Sequence, residues 1–265
     1  MKPIGIIGGV GPFADIDLIQ KIRAQTQACT DQEHIPIILH SYPHQIPDRS
    51  TFLLGQSPVS PSGPLLHMLE SVVRAGAAVV GISCNTAHAP IIFEPLQTHA
   101  AKLGIRLLNM VDETVQFVRK YYPDIRRPGL FGTNGTYQSG IYEAAFAQAD
   151  INLIKPSPDV QTAVMHPAIY HATWGIKAVC HPISRQARHL LGRGVSHLKS
   201  RTADAVLLAC TELPPAIDAH LLCGLKAVDP TLALARALIQ CAAGSSYLIP
   251  LATITQTQST LIDLE

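Results

Sequence analysis

An α/β protein of two similar lobes is predicted by three observations. Short apolar runs alternate with longer amphipathic ones, a pair of motifs recurs at a nearly constant offset, and charged residues are few. Apolar residues make up 47% of the 265-residue chain and charged residues only 15%, which suits a buried interior rather than a disordered chain. The expected fold is two similar lobes, each a mostly parallel sheet flanked by helices.

The expected strands, in order, are 4–7, 36–40, 77–83, 106–109, 129–132, 151–154, 205–209 and 225–228. They are near-continuous apolar runs, as strands covered on both faces must be. Helical spacing of apolar residues falls on 14–28, 65–75, 110–121, 139–148, 183–201 and 230–242. Ile6-Ile7-Gly8-Gly9-Val10-Gly11 is echoed 124 positions later by Leu130-Phe131-Gly132-Thr133-Asn134-Gly135. Ile82-Ser83-Cys84-Asn85-Thr86 is echoed 126 positions later by Leu208-Ala209-Cys210-Thr211-Glu212. Two different motifs recurring at one spacing indicate a repeated unit. The division expected from it is 1–112 for the first lobe, completed by 229–247, and 113–228 for the second. Residues 248–265 form a tail whose polar stretch 253–260 is expected to be poorly ordered.

A formal net charge of +1 with scattered Lys and Arg argues against a nucleic-acid partner. No apolar stretch is long enough to span a bilayer, and the N-terminus reads directly into a strand, so a cytoplasmic protein is expected. Six cysteines in such a chain read as free thiols, and the absence of C-x-x-C argues against a zinc ribbon. His166, His171, His181 and His189 lack the spacing of a helical metal pair, so no metal is expected. His40 and His44 are expected to line the cleft, and Cys29, Cys180, Cys223 and Cys241 to be structural or incidental.

Chemistry concentrates at the two repeated cysteines. Ligands of open α/β sheets bind beyond the carboxyl ends of strands, where Cys84 and Cys210 both fall. A single cysteine there reads as core, but two at matched positions can flank one cleft from opposite sides. Inverting a stereocentre needs a base on one face and an acid on the other, and a thiolate–thiol pair supplies both near neutral pH.

The chain also resembles the aspartate/glutamate racemase family, which uses no pyridoxal phosphate. The resemblance rests on Gly8-Gly9-Val10-Gly11-Pro12, Ile46-Pro47-Asp48-Arg49-Ser50, Cys84-Asn85-Thr86-Ala87-His88, Thr133-Asn134-Gly135-Thr136 with Ser139-Gly140-Ile141-Tyr142, and Cys210-Thr211-Glu212-Leu213-Pro214. It implies two pseudo-symmetric lobes with the active site in the cleft between them, Cys84 and Cys210 as the bases, no cofactor, a dicarboxylic amino acid as substrate, and a homodimer. Asn85, Thr86 and Thr211, with the turns of Gly9, Val10 and Gly11 and of Thr133 and Thr136, are expected to hold the α-carboxylate and its developing charge. Arg49 is expected to grip the distal carboxylate bidentately, and its loss is not expected to abolish thiolate formation at Cys84. The resemblance implies Lys177 as a second cation there. Glu212 would accept the substrate ammonium or set the charge near Cys210; its presence tilts the reading toward the aspartate-type branch. The competing readings are a related two-lobed isomerase or decarboxylase working through an enolate-like intermediate, and a binding protein without catalysis.

Overall fold

The structure is a computed structural model that describes residues 1–11 and 13–251, so Pro12 and the polar stretch 253–260 lie outside the described residues. The first sheet has the order β2-β1-β3-β4, formed by β1 (Ile4–Gly8), β2 (Ile37–Ser41), β3 (Val79–Ile82) and β4 (Arg106–Leu107). The second has the order β5-β6-β7, formed by β5 (Pro128–Gly132), β6 (Ala205–Ala209) and β7 (Lys226–Val228). All of these pairings are parallel. The expected strand at 151–154 is reduced to one parallel bridge, Ile154 to Gly129, on the free side of β5. With that bridge included, both sheets place their strands in the same relative order.

Each sheet is covered on both faces. The cover is α1 (Ala14–Gln25), α2 (Arg49–Leu53), α3 (Ser62–Arg74), α4 (Pro90–Lys102), α5 (Met110–Tyr121), α6 (Asn134–Ser139), α7 (Ile141–Ala147), α8 (Pro158–Val160), α9 (His166–Tyr170), α10 (Arg185–Ser200) and α11 (Pro230–Ala243). A wider π-helical turn, Gln161–Met165, joins α8 to α9. Side chains alternate across each strand and so feed opposite cores. From β1, Ile4 and Ile6 pack with Leu18 and Ile22 of α1 and Leu234 and Leu238 of α11, whereas Ile7 packs with Leu65 and Leu69 of α3 and Phe93 of α4. From β5, Leu130 packs with Val115 of α5 and Phe146 of α7, and Phe131 with Met165, Leu191 and Val195.

The last long helix, α11, therefore lies on the first sheet. Its Asp229 cap accepts from the Thr231 and Leu232 amides and also meets Lys21 of α1 at 2.7 Å, which holds the returning helix in place. Two helical expectations need correction. The helix expected at 139–148 is two short ones broken at Gly140, which takes the left-handed φ of 65°. The helix α4 is absent from the expected set because Pro95 interrupts its pattern, although Ile92, Phe93 and Leu96 are buried. No helix among the described residues is long and apolar enough to cross a membrane.

Candidate active site

Parallel strands bring their carboxyl ends to one edge. The register pairs Ile7 with Ile82 in the first sheet and Gly132 with Ala209 in the second. Cys84 follows β3 by two residues and Cys210 follows β6 directly, so each leaves its sheet at the same edge. Both thiols are buried and line one cavity with Val10, Arg49, Asn85, Thr86, Thr133, Thr136, Lys177 and Thr211. Tyr170 and Ala209 complete the lining, and neither was expected there.

The cavity is nearly closed. It has room for about 10 Å³, at the lower limit of what a single ordered water needs (about 10–15 Å³). The lobes touch beside it, where Ser50 Oγ and Thr133 Oγ1 are 3.2 Å apart and Tyr170 donates to Asp48 Oδ2 at 2.8 Å. A molecule larger than a single water gains access only if these contacts part.

The thiols are not equivalent. Burial alone would raise the pKa of Cys84, but the Arg49 guanidinium, the Thr86 hydroxyl 3.2 Å from Sγ, and Lys177 together hold it below the ordinary thiol value. Burial pushes Cys210 up to about 11; Lys177 opposes that rise and Glu212 adds to it. One side of the cavity thus favours a thiolate and the other a thiol. Below Cys84, the burial of His88 depresses its pKa to about 4. That ring is therefore neutral, and its Nδ1 donates to the Cys84 carbonyl at 2.7 Å. His88 shapes the turn and adds no charge.

Polar groups face the cavity from both lobes. Asn85 Oδ1 accepts from Tyr142 at 2.5 Å, which leaves its buried Nδ2 as an unpartnered donor. Thr133 caps α6 by accepting from the Thr136 amide, and Thr136 Oγ1 donates to the Ala209 carbonyl at 3.3 Å. Lys177 is a charged neighbour of Cys84, Cys210, Asp48 and Glu212, and its Nζ lies 5.2 Å from the Tyr170 ring centroid.

Several expected residues stand differently from the sequence reading. Arg49 Nη2 donates to the Val10 carbonyl at 2.5 Å and Nη1 to that of Pro47 at 3.4 Å, while buried Nε has no partner. Its fork is thus turned toward backbone, and its charge is the largest of the influences that lower the Cys84 pKa. Gly9, Gly11 and Glu212 are not in the cavity lining. Gly9 instead turns the chain against Tyr42 and Pro43, and its amide donates to Asp15 at 3.3 Å. Gly11 makes room for Glu212, whose Oε1 accepts from the Phe13 amide at 3.4 Å. Glu212 is buried behind this turn, with its pKa raised by that burial and opposed by Lys177. His40 and His44 miss the cavity too, and each packs against exposed Tyr42 at the edge of the first sheet.

Tyr170 carries no local signal that could have revealed it. It ends α9, seven residues before Lys177, and only the packing of α9 against the Asp48–Ser50 turn carries it to the cavity. Asp48 and Ser50 stand in the motif around Arg49 and could have been found from that adjacency.

Comparison with known proteins follows the same lines. The model of the Asp/Glu/Hydantoin racemase family matches residues 7–238. The broad specificity amino-acid racemase RacX of Bacillus subtilis is 24% identical over 243 residues, covering 89% of this chain and 96% of that protein. Picrophilus torridus aspartate racemase superposes with a TM-score of 0.72 at 29% identity, covering 91% of this chain and 94% of that one. Glutamate racemase from Francisella tularensis, solved in complex with D-glutamate, shares the fold at 14% identity and a TM-score of 0.60, covering 94% of this chain and 83% of that one.

Proposed function

This chain is an amino-acid racemase of the Asp/Glu/Hydantoin racemase family, and from that premise we propose that it interconverts the enantiomers of aspartate or glutamate with two thiols as its bases. The observation that carries the reading is the pair of buried cysteines at matched strand ends, lining one cavity and biased toward opposite protonation states. In one direction the Cys84 thiolate takes the Cα proton from one face, and the Cys210 thiol delivers its own proton to the other. The thiolate and thiol then exchange places, which readies the pair for the reverse reaction.

Loss of the Cα proton spreads negative charge onto the α-carboxylate. The unpartnered Asn85 amide and the hydroxyls of Thr86 and Thr211 are the donors available to it, at no cost of added charge. Arg49 and Lys177 supply the positive charge that a dicarboxylate and a thiolate share in a closed cavity. The boundaries 1–112 with 229–247, and 113–228, are read as the two lobes that part and close around the substrate. Catalytic thiols must stay reduced, which favours a cytoplasmic enzyme, and the family resemblance implies a homodimer. The mechanism assigns no step to pyridoxal phosphate or a metal, so activity should survive hydroxylamine and chelators.

Solvent isotope incorporation tests the two-base reading. In deuterated water, the first D-aspartate or D-glutamate formed from the L-enantiomer should carry deuterium at Cα, while unreacted L-substrate stays largely protonated. Cys84→Ser and Cys210→Ser should each nearly abolish racemisation, because a hydroxyl is too weak a base at neutral pH. First-formed product that keeps the hydrogen of the substrate would mean that one base serves both faces.

A further inference from the structure

A roomy concavity lies away from the cleft. It is a groove of about 850 Å³ along α10, between that helix, the π-helical segment and the chain around Leu221, and it shares no lining residue with the cavity of the two thiols. That size is within the range of small-molecule sites (about 300–1,000 Å³). We propose that this groove binds a phosphate-bearing small molecule, held by Arg185 and Arg193 at its charged wall with its carbon portion against Val160, Val164 and Leu221.

Two ladders on α10 build the groove. Arg185, His189, Arg193 and His197 recur every four residues and so form one row on the helix surface. Arg188, Gly192, Ser196 and Ser200 form the adjacent row, and the last three are small, which gives the groove its depth. At Gly192 a Cβ would already approach Leu221 to 3.3 Å, so a longer side chain in this row would fill the space.

The charge on the first row has no evident internal use. Asp218 is engaged by Arg188, and Asp159 stands beside Val160 on α8; no acidic residue lines the groove itself. His197 Nε2 accepts from the Ser157 amide at 3.2 Å, so that ring is neutral and the positive charge rests on Arg185 and Arg193, which have no ion-pair partner among the described residues. The first turn of α10 carries Arg185 and no acid, an arrangement unfavourable to the helix dipole. An anion beside Arg185 would offset that unfavourable end. Eight residues separate Arg185 from Arg193, about 12 Å along the helix, which suits a ligand with more than one anionic group. Guanidinium forks match phosphate oxygens in geometry as well as in charge.

The only tryptophan of the chain, Trp174, lines a neighbouring pocket with Arg185 and His189 and so provides a reporter. Sodium pyrophosphate at constant ionic strength is the probe, followed by tryptophan fluorescence and by calorimetry on the same solutions. A saturable response is expected, weakened at least tenfold in the Arg185→Gln/Arg193→Gln double variant. Ser196→Leu keeps every charge but fills the groove, and should weaken binding comparably. Racemase activity close to that of the parent in these variants verifies that they are folded. The proposal is overturned if neither method shows saturation, or if the double variant binds as tightly as the parent. Undiminished binding in Ser196→Leu would also overturn it, since charge alone, without the groove, would then suffice.

Discussion

At the scale of single residues, the site depends on unequal environments for two like groups. Cys84 faces Arg49 and the Thr86 hydroxyl, whereas Cys210 has the Glu212 carboxylate as a neighbour. On the proposed two-thiol mechanism, racemisation in either direction needs one proton on the pair, so both directions should share one bell-shaped pH profile of kcat/KM. Its rising limb should lie below the ordinary thiol pKa of about 8.5, and its falling limb near about 11, where Cys210 loses its proton. Arg49→Gln removes the main charge that lowers the Cys84 pKa. The rising limb should move to higher pH, and kcat/KM should fall by roughly 2–5 kcal/mol of transition-state stabilisation. Iodoacetamide alkylation of Cys84 against pH checks the first effect independently of turnover. A rising limb that stays in place in this variant would leave Arg49 a ligand of the substrate alone.

At the scale of elements, the glycine turn after β1 illustrates how a backbone requirement differs from a contact with ligand. Gly9 has φ of 71°, and a Cβ there would stand 2.7 Å from the Tyr42 amide nitrogen and 2.8 Å from that of Pro43. The turn therefore brings the chain after β2 against the chain after β1, which sets the position of Val10 in the cavity. Gly9→Ala should lose about 1–2 kcal/mol from the left-handed conformation and more from the collision with backbone. Gly55 has the same φ of 71° with open space around it, so Gly55→Ala should lose only the first part. Urea unfolding of the two variants measures the difference directly. Equal losses would show that the close approach at Gly9 carries no energetic weight. Strands β1, β3, β5 and β6 were legible in the sequence because each is an uninterrupted apolar run. The helix through Pro95 was not, since burial of Ile92, Phe93 and Leu96 overrides the local preference against it, and the break at Gly140 was a local glycine signal that the apolar spacing on either side masked.

At the scale of the whole molecule, the proposed mechanism requires the two lobes to meet closely around the substrate. One close inter-lobe approach at the site is Gly135 of α6 against Ser50 of α2, where a Cβ would fall 2.9 Å from the Ser50 Cα and 2.7 Å from its Oγ. Gly135→Ala should wedge the lobes apart at that point. We expect a stability loss of about 1–3 kcal/mol, as for other overpacked contacts, and a larger proportional fall in kcat/KM than in stability. Steady-state kinetics beside thermal melting would separate the two. An unaltered kcat/KM would mean that close approach at this contact has no part in assembling the site.

The sequence alone determined the α/β class, the repeated unit and the two cysteines, because each is written in residues that are neighbours along the chain. Apolar runs report burial on both faces, and a motif repeated at one offset reports a repeated unit whatever its orientation. The arrangement of charge around the thiols belongs to the tertiary structure. Arg49 reaches Cys84 across 35 positions, and Tyr170 reaches Asp48 across 122. Glu212 follows Cys210 by two residues and yet is turned behind Gly11, out of the cavity. Electrostatic interaction depends on distance and burial in space. Two cysteines with similar local sequence therefore acquire opposite protonation preferences only after folding sets different neighbours against them.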